Sequence, residues 1–202
     1  ATYCFMAAIA VMPIADALAI VFIEPFILLV MGKWLFNEQV GRRRISASII
    51  GFAGVLLVIQ PSFSIFGLVA LFPLGTALAF AFYMLVTRRL SRQMEPVPMQ
   101  LHTATLATAM CLPILLWGHL SDHPTLSPLL APVMPEGIAW LWLLGVGVFA
   151  SLSHLLITYA LRFAPSATLA PLHYLEMVSA VSFGYLVFDD LPNLLTLTGV
   201  MI

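Results

Sequence analysis

Apolar residues come in long runs along this chain, and the polar residues are gathered between them. Pro, Gly and charge clusters mark off eight apolar segments: residues 1–12 (partial), 15–36, 45–60, 67–87, 99–118, 137–161, 167–188 and 193–202 (partial). A helix needs about 20 such residues to cross the roughly 30 Å hydrocarbon layer of a bilayer. The period-two alternation of outer-membrane strands is absent from all eight, so the runs predict membrane-spanning helices. The connections are short except 119–136, HLSDHPTLSPLLAPVMPE, whose prolines predict a loop.

Composition makes the same point more strongly. The chain is 62% hydrophobic and 8% charged, against about 45–50% and 25% in soluble domains. That leaves too little polar surface to face water, and the fold class expected is an all-α integral membrane protein. Cys4 and Cys111 lie far apart in apolar runs and form neither a CxxC pair nor a metal spacing. The opening ATYCFMAAIAVM has no basic n-region, so it does not read as a signal peptide. Both terminal runs are shorter than a span, which predicts an internal piece of a longer protein.

Charge placement fixes an orientation. The eight basic residues are Lys33, Arg42, Arg43, Arg44, Arg88, Arg89, Arg92 and Arg162. With successive loops alternating sides, all of them fall on one side, and cytoplasmic loops are the ones that hold Lys and Arg. The opposite loops carry Asp16, Asp122, Glu136, Asp189 and Asp190. The basic loops are therefore expected in the cytoplasm of a bacterium, with the spans in its inner membrane. The Arg42–Arg44 cluster is an orientation determinant. It lacks the aromatic interleaving of a nucleic-acid surface, and no nucleic-acid partner is expected.

The chain also matches itself at an offset of 152 residues. PIADALAIVFIEPFILLVMGKWLFNE (13–38) lies over PSATLAPLHYLEMVSAVSFGYLVFDD (165–190), pairing Pro13 with Pro165, Ala15 with Ala167, Glu24 with Glu176, Gly32 with Gly184 and Phe36 with Phe188. Glu24 and Glu176 are the carboxylates inside predicted spans. The copies lie five spans apart, and an odd number reverses direction, so the repeat is inverted. Many transporters use that architecture to alternate access about a midplane site.

These residues carry a family resemblance. LAIVFIEPFILLVMGKWLFNEQVGRRRISASIIGFAGVLLVIQP resembles the fourth and fifth helices of the EamA-like transporter family of the drug/metabolite transporter superfamily. The matching features are Pro25, Glu38, the basic turn Arg42–Arg44 and Gly51-Phe52-Ala53-Gly54-Val55. APLHYLEMVSAVSFGYLVFDDLPNLLTLTGVMI is similar to the ninth and tenth helices, with Gly199-Val200 in the place of the same Gly-Val. The chain departs from the family pattern at Asn37, where Gly is usual, and at Asp189-Asp190, where Gly-Glu is common. The resemblance implies a ten-helix bundle of two inverted five-helix repeats. About eight helices, the third to the tenth, would be present, with 1–60 as the end of the first repeat and 67–202 as the second.

A charged carboxylate at a helix centre costs about 2.5–3.5 kcal/mol on insertion scales, so such residues face a cavity or a partner. Glu24 and Glu176 are accordingly the leading candidates to bind a proton or a basic substrate. His173, three residues before Glu176, is placed to share a proton with it. His154, beside Ser151 and Ser153, is a further candidate, and Tyr174, Tyr83 and Tyr159 could each stack on a planar substrate. Pro25 and Pro171 each remove a backbone donor inside a span and predict kinks. Gly51 with Gly54, and Gly145 with Gly147, suit close helix contacts. Trp34, Trp117, Trp140 and Trp142 sit near span ends as interfacial anchors.

No nucleophile, metal or phosphate-binding motif accompanies them, so no cofactor and no metal is expected. The function expected is secondary transport of a small organic metabolite or drug-like compound by alternating access, with protons as candidate coupling ions. The alternatives are an intramembrane enzyme using the buried His and Glu, and a membrane scaffold that transports nothing.

Overall fold

A computed structural model of the chain describes residues 1–62, 67–120, 134–189 and 191–202, with the side chains of 118–120 and 188 outside the description. The expected loop at 119–136 lies largely outside the described residues, as do Asp122, His123 and Asp190.

Helices account for the regular structure of the described residues. They are α1 (Thr2–Val11), α2 (Ile14–Val21), α3 (Glu24–Phe36), α4 (Arg42–Ile59), α5 (Leu71–Leu90), α6 (Pro96–Leu120), α7 (Ala139–Phe163), α8 (Ser166–Leu169), α9 (Leu175–Phe188) and α10 (Leu194–Met201). Short 3₁₀ turns cover Leu68–Ala70 and Ala170–Tyr174. Four stretches, Ile14–Phe36, Leu68–Leu90, Pro96–Trp117 and Ala139–Phe163, are long and apolar enough to cross a membrane. Each of the eight predicted segments is found as helix. Two of them, 15–36 and 167–188, are interrupted.

The local sequence explains the helix ends. Pro13 and Pro165, equivalent in the repeat, stand at the N-caps of α2 and α8, where the missing N–H costs nothing. α3 opens with Glu24 and has Lys33 in its last turn, in the sense that favours the helix dipole. Asn37 and Asp189, also equivalent, end α3 and α9 in the left-handed conformation, with φ of 50° and 55°. Asn and Asp tolerate it better than most residues. Asn193 caps α10 by accepting from the Thr196 N–H at 2.8 Å.

The chain forms two compact units, Ala1–Val86 with Ala164–Ile202, and Thr87–Phe163. The first unit holds both copies of the repeat. Its α4 and α10 cross in opposite directions: Gln60 Nε2, just past the end of α4, donates to Asn193 Oδ1 at 3.1 Å at the start of α10, while Gly54 meets Gly199 further along. A Cβ on Gly54 would lie 2.7 Å from the Gly199 carbonyl oxygen, and one on Gly199 would lie 2.5 Å from that of Gly54. Only glycine permits backbones this close. Near the same end, Asp16 accepts from the Ser62 N–H at 2.7 Å and its hydroxyl at 2.8 Å. A small core of Phe22, Val55 and Tyr174 lies within this unit.

In the second unit α6 packs against α7. Threonine hydroxyls on α6 donate to carbonyls four residues back, at 2.8 Å for Thr103 to Met99 and 2.9 Å for Thr108 to Ala104, leaving no demand on an apolar solvent. Buried Arg88 donates to the carbonyls of Leu161 and Arg162 at the end of α7. Gly145 and Gly147, expected at a close helix contact, have no neighbour among the described residues within 4 Å of where a Cβ would stand. Trp140, Trp142 and Phe149 on the same helix are exposed.

Candidate functional site

The site begins with the break between α2 and α3. Pro25 has no N–H to give, and the Phe26 N–H bonds the Ile23 carbonyl at 3.0 Å in place of the Phe22 carbonyl. The Phe22 carbonyl, released from the helical ladder, accepts instead from the Tyr174 hydroxyl at 3.2 Å. Residue 174 is the repeat equivalent of residue 22, so the two breaks, at 22–23 and 170–174, overlap at that position and are tied to each other there. In the second copy the 3₁₀ turn Ala170–Tyr174, with Pro171 in its first positions, makes the interruption. The Tyr174 ring lies 6.2 Å from that of Phe22 and packs directly over Gly51 of α4, where any Cβ would collide with it.

Beside each break stands a chemical group. Glu24, only 4% exposed, is hydrogen-bonded through Oε2 to His173 Nδ1 at 2.9 Å. The His173 side chain is 15% exposed. Glu24 Oε1 and His173 Nε2 are both buried and neither has a hydrogen-bond partner among the described residues. The Phe80 ring of α5 lies 6.2 Å from the imidazole, and Tyr83 lies 6.0 Å from Phe80. An unpaired buried carboxylate is expensive, and His173 provides the partner. The pair holds one proton along its hydrogen bond and can accept another at either orphan atom. It is therefore able to bind a proton or to receive a hydrogen-bonding group from a ligand.

The structure thus unites Glu24, His173, Tyr174 and Pro25, with Pro171 at the start of the turn that carries His173. The partner of His173 is Glu24, 149 positions away, and not the Glu176 that sequence spacing suggested. Glu176 lies on an exposed face of α9. Tyr174 has its hydroxyl and ring committed to the helix break, a holding position more than a stacking platform. His154 belongs to the second unit, where its carbonyl accepts from Thr158 at 2.7 Å. Phe80 had no sequence signal, being one aromatic among many. Among the described residues no group of three or more His, Cys, Asp or Glu could hold a metal.

Known proteins place this geometry in context. A riboflavin transporter of Vibrio cholerae is 31% identical over 182 residues, covering 89% of this chain and 56% of that protein. The pseudopaline exporter CntI of Pseudomonas aeruginosa is 24% identical over 197 residues, 97% of this chain and 65% of its own length. An S-adenosylmethionine uptake transporter of Rickettsia bellii is 25% identical over 194 residues, 96% and 62% respectively. The chain thus spans less than two thirds of the length of these relatives. No solved structure matches it. The family model described as the EamA-like transporter family matches residues 67–202, from the start of α5 through the second broken helix to α10. With its apolar helices and two antiparallel copies of one motif, the chain belongs to the EamA-like transporter family.

Proposed function

We propose that this chain is the greater part of a secondary transporter that moves a small organic metabolite across the bacterial inner membrane, with its basic loops in the cytoplasm. In this reading the whole protein has ten helices in two inverted halves of five, of which 1–60 ends the first and 67–202 forms the second. The relatives named for riboflavin, pseudopaline and S-adenosylmethionine support a metabolite as cargo. They support no one compound over another. Access alternates between the halves, and the Glu24–His173 pair takes up a proton or a polar group of the substrate. Glu176, on the open face of α9, has a lesser part.

One observation carries this reading: a buried carboxylate and an imidazole, one from each copy, meet where both helices are broken. Discontinuous helices at a repeat interface are where transporters bind substrate and coupling ion. Two buried atoms of one pair without partners among the described residues leave room for a proton or a ligand group to bind there. No enzymatic activity follows from this reading.

The test is metabolite profiling of cells that express the whole protein as wild type, Glu24→Gln or His173→Gln at equal membrane abundance. A compound that moves across the membrane unchanged with wild type, and not with either variant, supports the reading. Equal movement in all three removes the pair from the mechanism. A chemically altered product would point to an intramembrane enzyme, and no change in any metabolite to a scaffold.

A further inference from the structure

A second carboxylate bridges the two copies at the other end of α3. Asn37, in its left-handed turn, folds the chain back so that the Glu38 N–H bonds the Gly32 carbonyl at 3.1 Å. The Glu38 carboxylate then reaches the first turn of α8. It accepts from the Ser166 N–H at 3.2 Å, the Ser166 hydroxyl at 2.8 Å and the Ala167 N–H at 2.8 Å. Gly32 makes room: a Cβ there would lie 3.0 Å from Glu38 Oε2 and 3.4 Å from Ser166 Oγ.

Between this clasp and the Glu24–His173 pair runs a buried seam. On α3 the positions Glu24, Leu28 and Gly32, four residues apart and so on one face, are all buried. On the facing α8 and 3₁₀ turn, against which α3 packs, Ser166, Ala167 and Ala170 are completely buried. The seam is lined mainly by small side chains, and the clasp closes its far end. That end is flanked in sequence by Lys33 and Arg42–Arg44. At the opposite end, α4 and α10 are joined by Gln60 to Asn193 at 3.1 Å and to Thr196 at 3.4 Å, neutral bonds weaker than those of a carboxylate.

We propose that Glu38 is the latch of the gate on the basic-loop side. Parting α3 from α8 to expose the Glu24–His173 pair on that side requires the carboxylate to let go of Ser166 and Ala167. The latch holds the seam shut until it does. The inference rests on the alternating-access reading, but seam opening is measurable without any substrate, so the two can fail separately.

The experiment places Ala170→Cys in the middle of the seam of the full-length protein, with the native cysteines replaced. Labelling by a membrane-impermeant maleimide is then followed in inside-out and right-side-out vesicles. With Glu38 intact the site labels slowly. Glu38→Gln loses the charge that strengthens all three bonds, and should raise labelling from the basic-loop side about tenfold, with no rise from the other side. Ser166→Ala removes one bond and should raise it about threefold, which keeps the test open if Glu38→Gln fails to reach the membrane. Labelling unchanged in the variants, or raised equally from both sides, overturns the latch. A lowered unfolding temperature with unchanged labelling would make Glu38 a helix cap only, and overturns it too.

Discussion

Glu24 and Glu176 stand at the same place in two copies of one motif, just past the break in each, yet the fold treats them differently. Glu24 is buried and hydrogen-bonded to His173, whereas Glu176 is exposed on α9. The same divergence recurs down the helices. Gly32 is roofed by Glu38 and Ser166, while its equivalent Gly184 has nothing described within 4 Å of a Cβ. Phe22 offers a carbonyl, and its equivalent Tyr174 supplies the hydroxyl that caps it. An inverted repeat can be symmetric in sequence while its copies take complementary parts in one conformation, one donating and the other accepting.

The largest expected effect comes from deleting each carboxylate in turn. Glu24→Ala leaves His173 Nδ1 buried without a partner, and an unsatisfied buried donor costs about 1–3 kcal/mol. Glu176→Ala removes an exposed group and should change stability by no more than about 0.5 kcal/mol. Thermal unfolding of the full-length protein in detergent reads both, and transport should be lost with the first. Equal destabilisation would mean that the copies are chemically equivalent after all.

Glycine comes next. In Gly32→Ala the new methyl meets Glu38 Oε2 at 3.0 Å, and the carboxylate has to shift away from Ser166. The expected cost is about 1–2 kcal/mol, at the lower end of overpacking. Gly184→Ala has open space and a helical backbone, so the better helix propensity of alanine should stabilise by up to about 1 kcal/mol. Opposite signs at equivalent positions would be the clearest sign of the asymmetry, and like signs would remove it.

Tyr174→Phe makes the two breaks alike in side chain. The ring still packs over Gly51 and against Phe22, but the Phe22 carbonyl loses its donor. A loss of about 1 kcal/mol is expected, together with faster amide exchange at Phe26 and Ile27 as the junction loosens. Phe22→Tyr, the reverse change, has no freed carbonyl assigned to it and should not compensate. Full compensation in the double variant would show that either copy can supply the hydroxyl.

Much of this arrangement is legible in the residues. Apolar run length places the helices, and the 152-residue offset pairs Pro13 with Pro165 and Glu24 with Glu176, because these depend on local pattern alone. Pro25 signals the first break because it stands where a helix can start but not continue. The second break has Met177 at the position of Pro25, and its Pro171 lies six residues before it, so the two interruptions do not look alike in sequence. The partner of His173 was not legible. Spacing favoured Glu176 three residues on, and only tertiary packing brings Glu24 within 2.9 Å. Glu38 stood out as a motif residue, but its contacts to Ser166 and Ala167 span more than a hundred positions and have no local signature.

The smallest effect tests where the copies should still agree. Asn37 and Asp189 end equivalent helices with φ of 50° and 55°, a conformation that depends on the backbone and hardly on what the side chain meets. Glycine adopts it without a steric penalty, although its greater freedom in the unfolded chain offsets part of the gain. Asn37→Gly and Asp189→Gly should therefore each stabilise by about 0.5 kcal/mol, and by the same amount. Equal shifts in unfolding temperature would confine the asymmetry to side chains, with the two backbones near-copies that can exchange roles. If Asn37→Gly gained less, the turn that aims Glu38 at Ser166 would need the stiffness of asparagine. The two copies would then differ in the backbone of that turn as well.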